Sequence, residues 1–396
     1  MATKGIFIVG AKRTPFGKFG GALKNITATE LQTIVNKSVL ESSGIDPKNV
    51  DHVVIGNVVH SSKCAAYLAR HSSLLSNIPE TKPAVIVNRL CGSGFQSAIT
   101  GSLQIISGDS SVVLVGGVEN MSQFPHVVRD IRFGTTFGKP VELEDVIWSS
   151  SNDSYAKLSM ALTAEKLGKK YGLKREEVDQ YAAKSQERYA SARKLGVFKK
   201  EITPVNIKSK KGNVSFEVDE HPRETSYEQL SKLPPVFQKN GLVTAGNASG
   251  ICDGAGALLI ASEESVKSLN CKPLSRVVGW SVVGCDPTIM GIGPVPAIKN
   301  VLKKTGLSMN DISLFEINEA FAAQVVSVQK ELNIDINQLN VNGGAIALGH
   351  PLGASGSRIL GHLSYEMERR KIKYSIGAAC IGGGQGIAVL LENTSC

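Results

Sequence analysis

Asn88-Arg89-Leu90-Cys91-Gly92-Ser93-Gly94-Phe95-Gln96 follows the apolar run Ala84 to Val87. A short apolar run, a glycine-punctuated turn and a second apolar period read as strand, turn and helix. A partner stretch lies near the other end of the chain. There Val341-Asn342 leads through Gly349-His350-Pro351 into Gly353-Ala354-Ser355-Gly356. Working outward, Ser43-Gly44-Ile45, Val50 and Val54-Ile55 match Thr305-Gly306-Leu307, Ile312 and Glu316-Ile317 at the same spacings. Each turn is followed by an amphipathic helix and a buried strand ending in glycines, Gly116-Gly117 in one case and Gly382-Gly383-Gly384 in the other. The pattern predicts two copies of one α/β unit, with the two glycine-rich turns facing each other if the halves pack as a pseudo-dimer. Chance likeness between two α/β segments is the competing reading.

Local signals agree with alternating helices and strands. Thr27 with Glu30 three residues later predicts a capping box, and Gly44 predicts the end of that helix. A helix from about Pro296 is expected to stop at Gly306, and Leu314-Phe315-Glu316-Ile317 reads as a strand. Residues 121–246 differ in texture, with the charged stretch Arg175 to Arg193, the basic run Lys208-Ser209-Lys210-Lys211 and Pro234-Pro235. They read as an insertion carried on the first half, most of its charge being solvated surface. The expected organisation is therefore 1–120 with 247–270 as one half, 121–246 as a loop domain, and 271–396 as the other half.

Composition narrows the function classes. Gly makes up 40 of the 396 residues against 15 Pro, which points to tight turns and close backbone approach and excludes collagen and coiled coil. No apolar run reaches the roughly 18 residues that would span a bilayer. The seven Cys are odd in number and none sits in a CxxC pair, so a disulfide scaffold or zinc site is not expected, and a reducing interior is. Lys and Arg outnumber Asp and Glu by 44 to 35, a net charge of +9 that favours an anionic partner. Basic segments lack interleaved aromatics, and aromatics are only 6%, which argues against nucleic acid. Lys4, Lys12, Arg13, Lys18 and Lys24 precede the first acid, Glu30, a transit-peptide trait, although Gly5 to Val9 reads as a buried strand. The chain ends Asn393-Thr394-Ser395-Cys396, without the Ser-Lys-Leu address.

Four constellations could carry chemistry. Cys91 lies between a strand and a helix, where peptide dipoles would stabilise a thiolate and lower its pKa. Read alone, it suits a buried structural thiol equally well. His350, between Gly349 and Pro351, is held at a turn opening a helix, where an imidazole could take a thiol proton or donate to a carbonyl oxygen. Cys380 precedes Gly382-Gly383-Gly384, whose backbone N–H groups could hold an oxyanion. Asn318-Glu319-Ala320-Phe321 opens a helix with the apolar face Phe321, Val325, Val328 and Leu332, and both polar residues there could be simple caps. A dinucleotide fingerprint is not met, since a third glycine is missing after Gly92 and Gly94. Walker A, GxSxG and HExxH motifs are absent.

Taken together, Cys91 in Asn-Arg-Leu-Cys-Gly-Ser-Gly, Asn318-Glu319-Ala320-Phe321, Gly349-His350-Pro351 and Cys380-Ile381-Gly382 resemble the thiolase family in order and spacing over nearly the whole chain. The resemblance implies a five-layer αβαβα fold of two duplicated halves with an inserted loop domain. It implies reversible CoA-dependent cleavage of 3-ketoacyl-CoA to acetyl-CoA and a shortened acyl-CoA, as in mitochondrial fatty-acid β-oxidation. By resemblance Cys91 takes the acyl group as a thioester, His350 removes its proton, and Cys380 moves the proton at the acetyl α-carbon. Asn318 would fix a water that forms one oxyanion hole with His350, and the N–H groups of Cys91 and Gly382 would form the other. Arg223, Ser226, Ser249 and Met160 are expected to contact CoA, which is a substrate and not a resident cofactor. Where some relatives carry His-Met, this chain has Ser159-Met160, which argues against the short-chain biosynthetic subtype. The resemblance also implies a homodimer or homotetramer and a mitochondrial matrix location, the cytosol second. The alternatives are acetoacetyl-CoA thiolysis or condensation, and hydrolysis of acyl-CoA.

Overall fold

The computed structural model describes residues 5–209 and 212–395. Lys4, Lys210, Lys211 and Cys396 of the sequence reading lie outside the described residues. The strands of the main sheet are β1 (Ile6–Arg13), β2 (His52–Gly56), β3 (Ala84–Val87), β4 (Val112–Asn120), β5 (Cys252–Ser262), β6 (Ser275–Gly284), β7 (Leu314–Ile317), β8 (Tyr374–Ile381) and β9 (Gln385–Asn393). The helices that matter here are α1 (Ala28–Ser43), α2 (Ser93–Ser107), α3 (Met160–Lys170), α4 (Arg175–Lys194), α5 (Pro294–Thr305), α6 (Ala322–Leu332) and α7 (Ser355–Arg370).

The strands lie in the order β7-β8-β9-β6-β1-β5-β4-β2-β3. The join between the two halves is short, Phe7 opposite Arg276 and Ile8 opposite Ser275. Both faces of each half-sheet are buried, and alternation along the strands separates the cores. On β9, Ile387, Val389 and Leu391 face the core shared with α2 and α7, while Ala388 and Leu390 face α5 and α6. On β4, Val113 and Val115 join that central core while Leu114 and Val118 pack beneath α1. The result is helix, sheet, helix pair, sheet, helix.

The internal repeat is structural. Helices α1 and α5 both end at a left-handed glycine, Gly44 with φ 71° and Gly306 with φ 73°. The capping box at Thr27 and Glu30 is present. The repeated turns meet as expected: a Cβ on Gly94 would sit 2.6 Å from the Ser357 nitrogen and 2.7 Å from the Gly353 oxygen, and one on Gly356 would strike the Phe95 nitrogen. Two backbones approach this closely only where neither carries a side chain. The strand matching β3 is reduced to a single parallel bridge, Phe315 with Leu339. One sequence match is wrong. Gly116 and Gly117 lie in mid-strand opposite Ala257 and Gly256, whereas Gly382-Gly383-Gly384 form the turn between β8 and β9. The mid-strand pair serves another purpose, because a Cβ on Gly117 would strike the Gly353 oxygen.

The segment between β4 and β5 is also less superficial than its charge suggests. Helix α4 buries Val178, Tyr181, Ala182, Ser185 and Tyr189, packing on α6 and on the Ala345–Leu348 turn of the second half. A buried polar network ties this segment to both halves. Arg13 of β1 meets Glu201 at 2.7 Å and Asp219 at 2.7 Å, and Glu201 reaches Nδ1 of His362 on α7 at 2.8 Å. Burial alone would raise the Glu201 carboxyl, but His362 and Arg13 outweigh it and bring it down to about 2. Because the folded value lies below the ordinary 4.5, this stabilisation is complete above that pH and is lost as pH falls from 4.5 toward 2. The expected result is a urea midpoint that drops through this window. Glu201→Gln should lose about 3 kcal/mol at neutral pH and titrate less steeply between the two values.

Candidate active site

Cys91 sits in the single 3-10 turn Leu90–Gly92 that feeds α2. The turn is strained in one place: Leu90 holds φ 47°, a left-handed conformation uncommon for a branched residue and found where function demands it. Three local bonds maintain it. Asn88 Oδ1 accepts from Leu90 N at 3.0 Å, Ser93 Oγ accepts from Arg89 N at 2.9 Å, and Ser93 Oγ donates to Leu90 O at 2.7 Å. Arg89 donates to Gln96 at 2.7 Å and to Gln385 at 2.8 Å, anchoring the turn to β9.

Cys91 is half-buried. Loss of solvent pushes its thiol up to about 11, against the opposing pull of the N–H groups of Gly382 and of Cys91 itself, and the Glu119 carboxylate adds to the rise. This corrects the expectation of a low-pKa thiolate. The helix N-terminus supplies donors, but desolvation and a neighbouring anion outweigh them. Among the opposing causes, the Gly382 N–H acts on this sulfur from the turn between β8 and β9.

Cys380, at the end of β8, is fully buried, and its thiol is pushed well above the ordinary value by burial first and then by Cys91 and Cys285. Met290 and Ala320 are buried with it, and Met160 and Phe321 pack against the group. Met160 also lies over the Gly382 turn, its sulfur 3.2 Å from where a Cβ on Gly382 would be. Ser159 caps α3, its hydroxyl accepting from Leu162 N at 3.3 Å.

The imidazole of His350 is buried among polar partners with a definite sense. Ser355 Oγ lies 2.6 Å from Nδ1 and donates its own proton to Pro351 O at 3.1 Å. Nδ1 must then be the donor to Oγ, which leaves Nε2 unprotonated and able to accept from Asn318 Nδ2 at 3.3 Å. Burial lowers the imidazole to about 4, so it is neutral at physiological pH. Asn318 is fixed by its own N–H, which donates to Ala378 O at 2.9 Å, two residues before Cys380. The loop carrying His350 packs against the Cys91 turn through Gly94 and Gly353. Its backbone N–H donates to Gly250 O at 3.0 Å, and the Ser249 N–H donates to Ala320 O at 3.0 Å. Cys91, Cys380, Gly382, Met160, Asn318, His350 and Ser249 are thus joined by direct contacts or through immediate chain neighbours.

Arg223 and Ser226 stand apart from this centre. Arg223 is exposed and lines a cavity of 170 Å³ with Gln186, His221, Gln229, Ala245 and Gly246. Ser226 caps the short Tyr227–Leu230 helix, its hydroxyl accepting from Gln229 N at 3.4 Å. His221 connects the cavity to the centre, because its Nδ1 meets Ala347 O at 2.9 Å and its ring fills the space beside Gly250. Sequence reasoning missed His221, Ser355, Met290 and Cys252, whose sulfur lies 2.5 Å from where a Cβ on Gly349 would be. Glu319 turns away from the thiols and accepts from Tyr181, Asn340, Ser185 and Ile346, which pins α4 to the second half.

Among the described residues no group of three or more His, Cys, Asp and Glu is placed to hold a metal, and no helix is long and apolar enough to cross a membrane. The arrangement suits acyl transfer: a thiol with the N–H groups of its own turn and of Gly382 acting on it, a second buried thiol, and a neutral imidazole whose unprotonated Nε2 accepts from Asn318.

Comparison with known proteins agrees with this chemistry. Residues 6–264 match the thiolase N-terminal domain and residues 271–393 the thiolase C-terminal domain. The mitochondrial 3-ketoacyl-CoA thiolase of Bos taurus is 56% identical over 393 residues, 99% of each chain. The acetyl-CoA acetyltransferase of Thiocystis violacea is 44% identical over 393 residues, 98% of each. The crystal structure of human mitochondrial 3-ketoacyl-CoA thiolase in complex with CoA superposes with a TM-score of 0.97 at 54% identity, covering 100% of this chain and 99% of that one. A repeated α/β unit, two thiols and a neutral imidazole at its junction, and these matches along the full length place the chain in the thiolase family.

Proposed function

We propose that the chain is a 3-ketoacyl-CoA thiolase of the mitochondrion, cleaving 3-ketoacyl-CoA with free CoA to acetyl-CoA and a shortened acyl-CoA. The observation that carries this reading is the meeting, at the junction of the two halves, of the Cys91 turn, the buried Cys380 thiol and the His350 imidazole held by Asn318 and Ser355. A thiol that high, beside an imidazole that low, does not ionise at rest. Proton transfer from Cys91 to Nε2 of His350 therefore accompanies attack of sulfur on the 3-keto carbon. The bond between the α-carbon and that carbon then breaks. The electron pair stays on the α-carbon as the enolate of acetyl-CoA, and Cys380, a thiol well above its ordinary value, supplies the proton that completes acetyl-CoA. The acyl group remains on Cys91 until the thiol of a second CoA attacks it, giving its proton to the Cys380 thiolate. The bond from the acyl carbon to the Cys91 sulfur then breaks, His350 returns its proton to that sulfur, and the shortened acyl-CoA is released. Asn318 with a water and His350 would stabilise one oxyanion, and the Cys91 and Gly382 N–H groups the other.

In this reading Met160 and Ser249 border the reacting end of CoA, and the Arg223 cavity receives its far end. Ser226 contributes by holding the helix that forms the cavity wall. Residues 121–246 act as the loop domain that completes the CoA site between halves 1–120 with 247–270 and 271–396. Ile131, Phe133, Phe137, Val141, Leu143 and Trp148 are exposed on one arm of this segment, and Val85 on the edge strand β3 is exposed too. Apolar arms and open edges are places where copies associate, which supports a homodimer or homotetramer.

The test is CoA-dependent thiolysis across substrates from acetoacetyl-CoA to long-chain 3-ketoacyl-CoA. Turnover of the longer substrates at rates comparable to or above acetoacetyl-CoA is expected. Activity confined to acetoacetyl-CoA would move the chain to the acetyltransferase reading. Release of free CoA without ketoacyl cleavage would make it a hydrolase.

A further inference from the structure

Strand β4 is buried along all nine residues, and one of them is a carboxylate with no part in the chemistry above, Glu119. Its two oxygens receive four donors. Asn57 Nδ2 at 3.1 Å and Val59 N at 3.0 Å reach Oε1, while Val58 N at 3.2 Å and Gly353 N at 2.9 Å reach Oε2. All four partners donate, and a set of donors without an acceptor suits an ionised carboxylate. Burial outweighs the N–H groups of Val59, Gly353 and Val58 and raises this carboxyl to about 8, so the anion that the four donors favour is fully formed above that pH, in the range where the Cys91 thiol titrates.

The partners lead in two directions. On one side, the carbonyl of Val58 accepts from Asn88 Nδ2 at 3.0 Å, and Asn88 Oδ1 holds the N–H of Leu90 at 3.0 Å. Leu90 is the left-handed residue immediately before the nucleophile. On the other side, Gly353 lies three residues beyond His350, on the loop whose Pro351 carbonyl fixes Ser355 and through it the imidazole. Gly117 of the same strand leaves no side chain between β4 and this loop. One carboxylate therefore touches the support of the nucleophile, which belongs to the first half, and the support of the base, which belongs to the second.

We propose that Glu119 is a positioning residue for the reaction, a joint that sets the separation between the Cys91 turn and the His350 loop. The inference rests on the reading of Cys91 as nucleophile and His350 as base. In a site where an error of about 1 Å can cost a hundredfold in rate, a shared anchor for the two reacting loops has a kinetic consequence. Glu119 touches neither substrate nor the reacting atoms in this role.

The test is Glu119→Gln. Whichever way the amide is turned, its NH2 faces two of the four donors, Asn57 and Val59 in one orientation or Val58 and Gly353 in the other, so the joint loses half of its bonds. The expected result is a fall of about a hundredfold in kcat, with KM for 3-ketoacyl-CoA within threefold, because the CoA cavity is elsewhere. A second readout separates positioning from general damage: the pH profile of Cys91 alkylation by iodoacetamide. The titratable groups of this site are Glu119 on β4, Cys380 on β8, Cys285 after β6 and His350 before α7. Burial is the main reason the Cys91 thiol is high and the Glu119 carboxylate adds to it, so removing that anion should move the profile to lower pH even as turnover falls. Glu119→Asp keeps the charge and shortens the reach. It should leave the alkylation profile in place while lowering kcat at least tenfold, and it carries the test if the Gln variant does not fold. Wild-type kcat in either folded variant would overturn the inference, as would an unmoved alkylation profile in Glu119→Gln. Cys91→Ala is assayed alongside. If it retains thiolysis, the underlying reading fails; if it is inactive while the Glu119 variants turn over normally, only this inference fails.

Discussion

Cys91→Ala is expected to lower thiolysis at least a thousandfold while leaving the fold intact. The nucleophile is the one group for which the site offers no substitute, because Cys380 is fully buried and its thiol is held well above the ordinary range. Loss of covalent catalysis removes the intermediate itself and not merely one interaction with it. Structural cost should be slight. Alanine fits the half-buried position, and the bonds that hold the turn come from Asn88, Arg89 and Ser93, not from the thiol. The check is steady-state thiolysis of a 3-ketoacyl-CoA beside a denaturation curve. Activity within tenfold of wild type in a folded Cys91→Ala variant would remove Cys91 from the mechanism.

The second large effect belongs to His350. His350→Gln should reduce kcat/KM by about 10²–10⁴-fold, the range for a positioned general base. The sign of the pH dependence follows from the direction of the shift. A base works when unprotonated, burial lowers this imidazole to about 4, and activity that depends on it is lost only as pH falls through that value. The wild-type kcat/KM profile should therefore be flat from about pH 5 to 7, with no limb near the ordinary histidine value of about 6.5. An acid limb centred there and absent from His350→Gln would show that the imidazole is solvated and not shielded as described. Measurements above pH 4.5 keep this readout clear of the acid loss of the Glu201 network.

Much of the architecture was legible because its signals are local and repeated. Glycine at Gly44 and Gly306 ends two helices in the same conformation, and the apolar runs at Val112 to Val118 and Ser375 to Ala379 fall on buried strands. The repeat was misread at Gly116-Gly117, because a glycine admitting a neighbouring backbone in mid-strand looks in sequence like a glycine in a turn. Charge on α4 suggested solvent, yet its Tyr181, Ser185 and Tyr189 face is buried, its polar groups matched by Glu319 and Asp219 from distant segments. Such pairings have no signature along the chain.

The chemical residues divide in the same way. Cys91 and His350 stand out because each is set among glycine or proline at a turn opening a helix, and Cys380 because it ends a strand just before Gly382-Gly383-Gly384. The electrostatics of Cys91 did not follow from its position at a helix N-terminus, since burial and Glu119 act across the fold. Glu119 itself left a trace, a single carboxylate at the end of the apolar stretch Val112 to Val118. His221 left none, because it acts through one contact with Ala347, 126 residues away. Ser355 lies only five residues from the imidazole it holds, but a serine opening a helix looks in sequence like any other.

The most direct test of the mechanism is to look for the acyl group on the protein. The enzyme is mixed with a 3-ketoacyl-CoA without free CoA, quenched in acid, digested and analysed by mass spectrometry. The expected result is a stoichiometric acyl group on the peptide containing Cys91, lost again, with release of acyl-CoA, when CoA is added before the quench. An acyl group found on Cys380, or CoA-dependent thiolysis proceeding at full rate with no acylated Cys91, would contradict it.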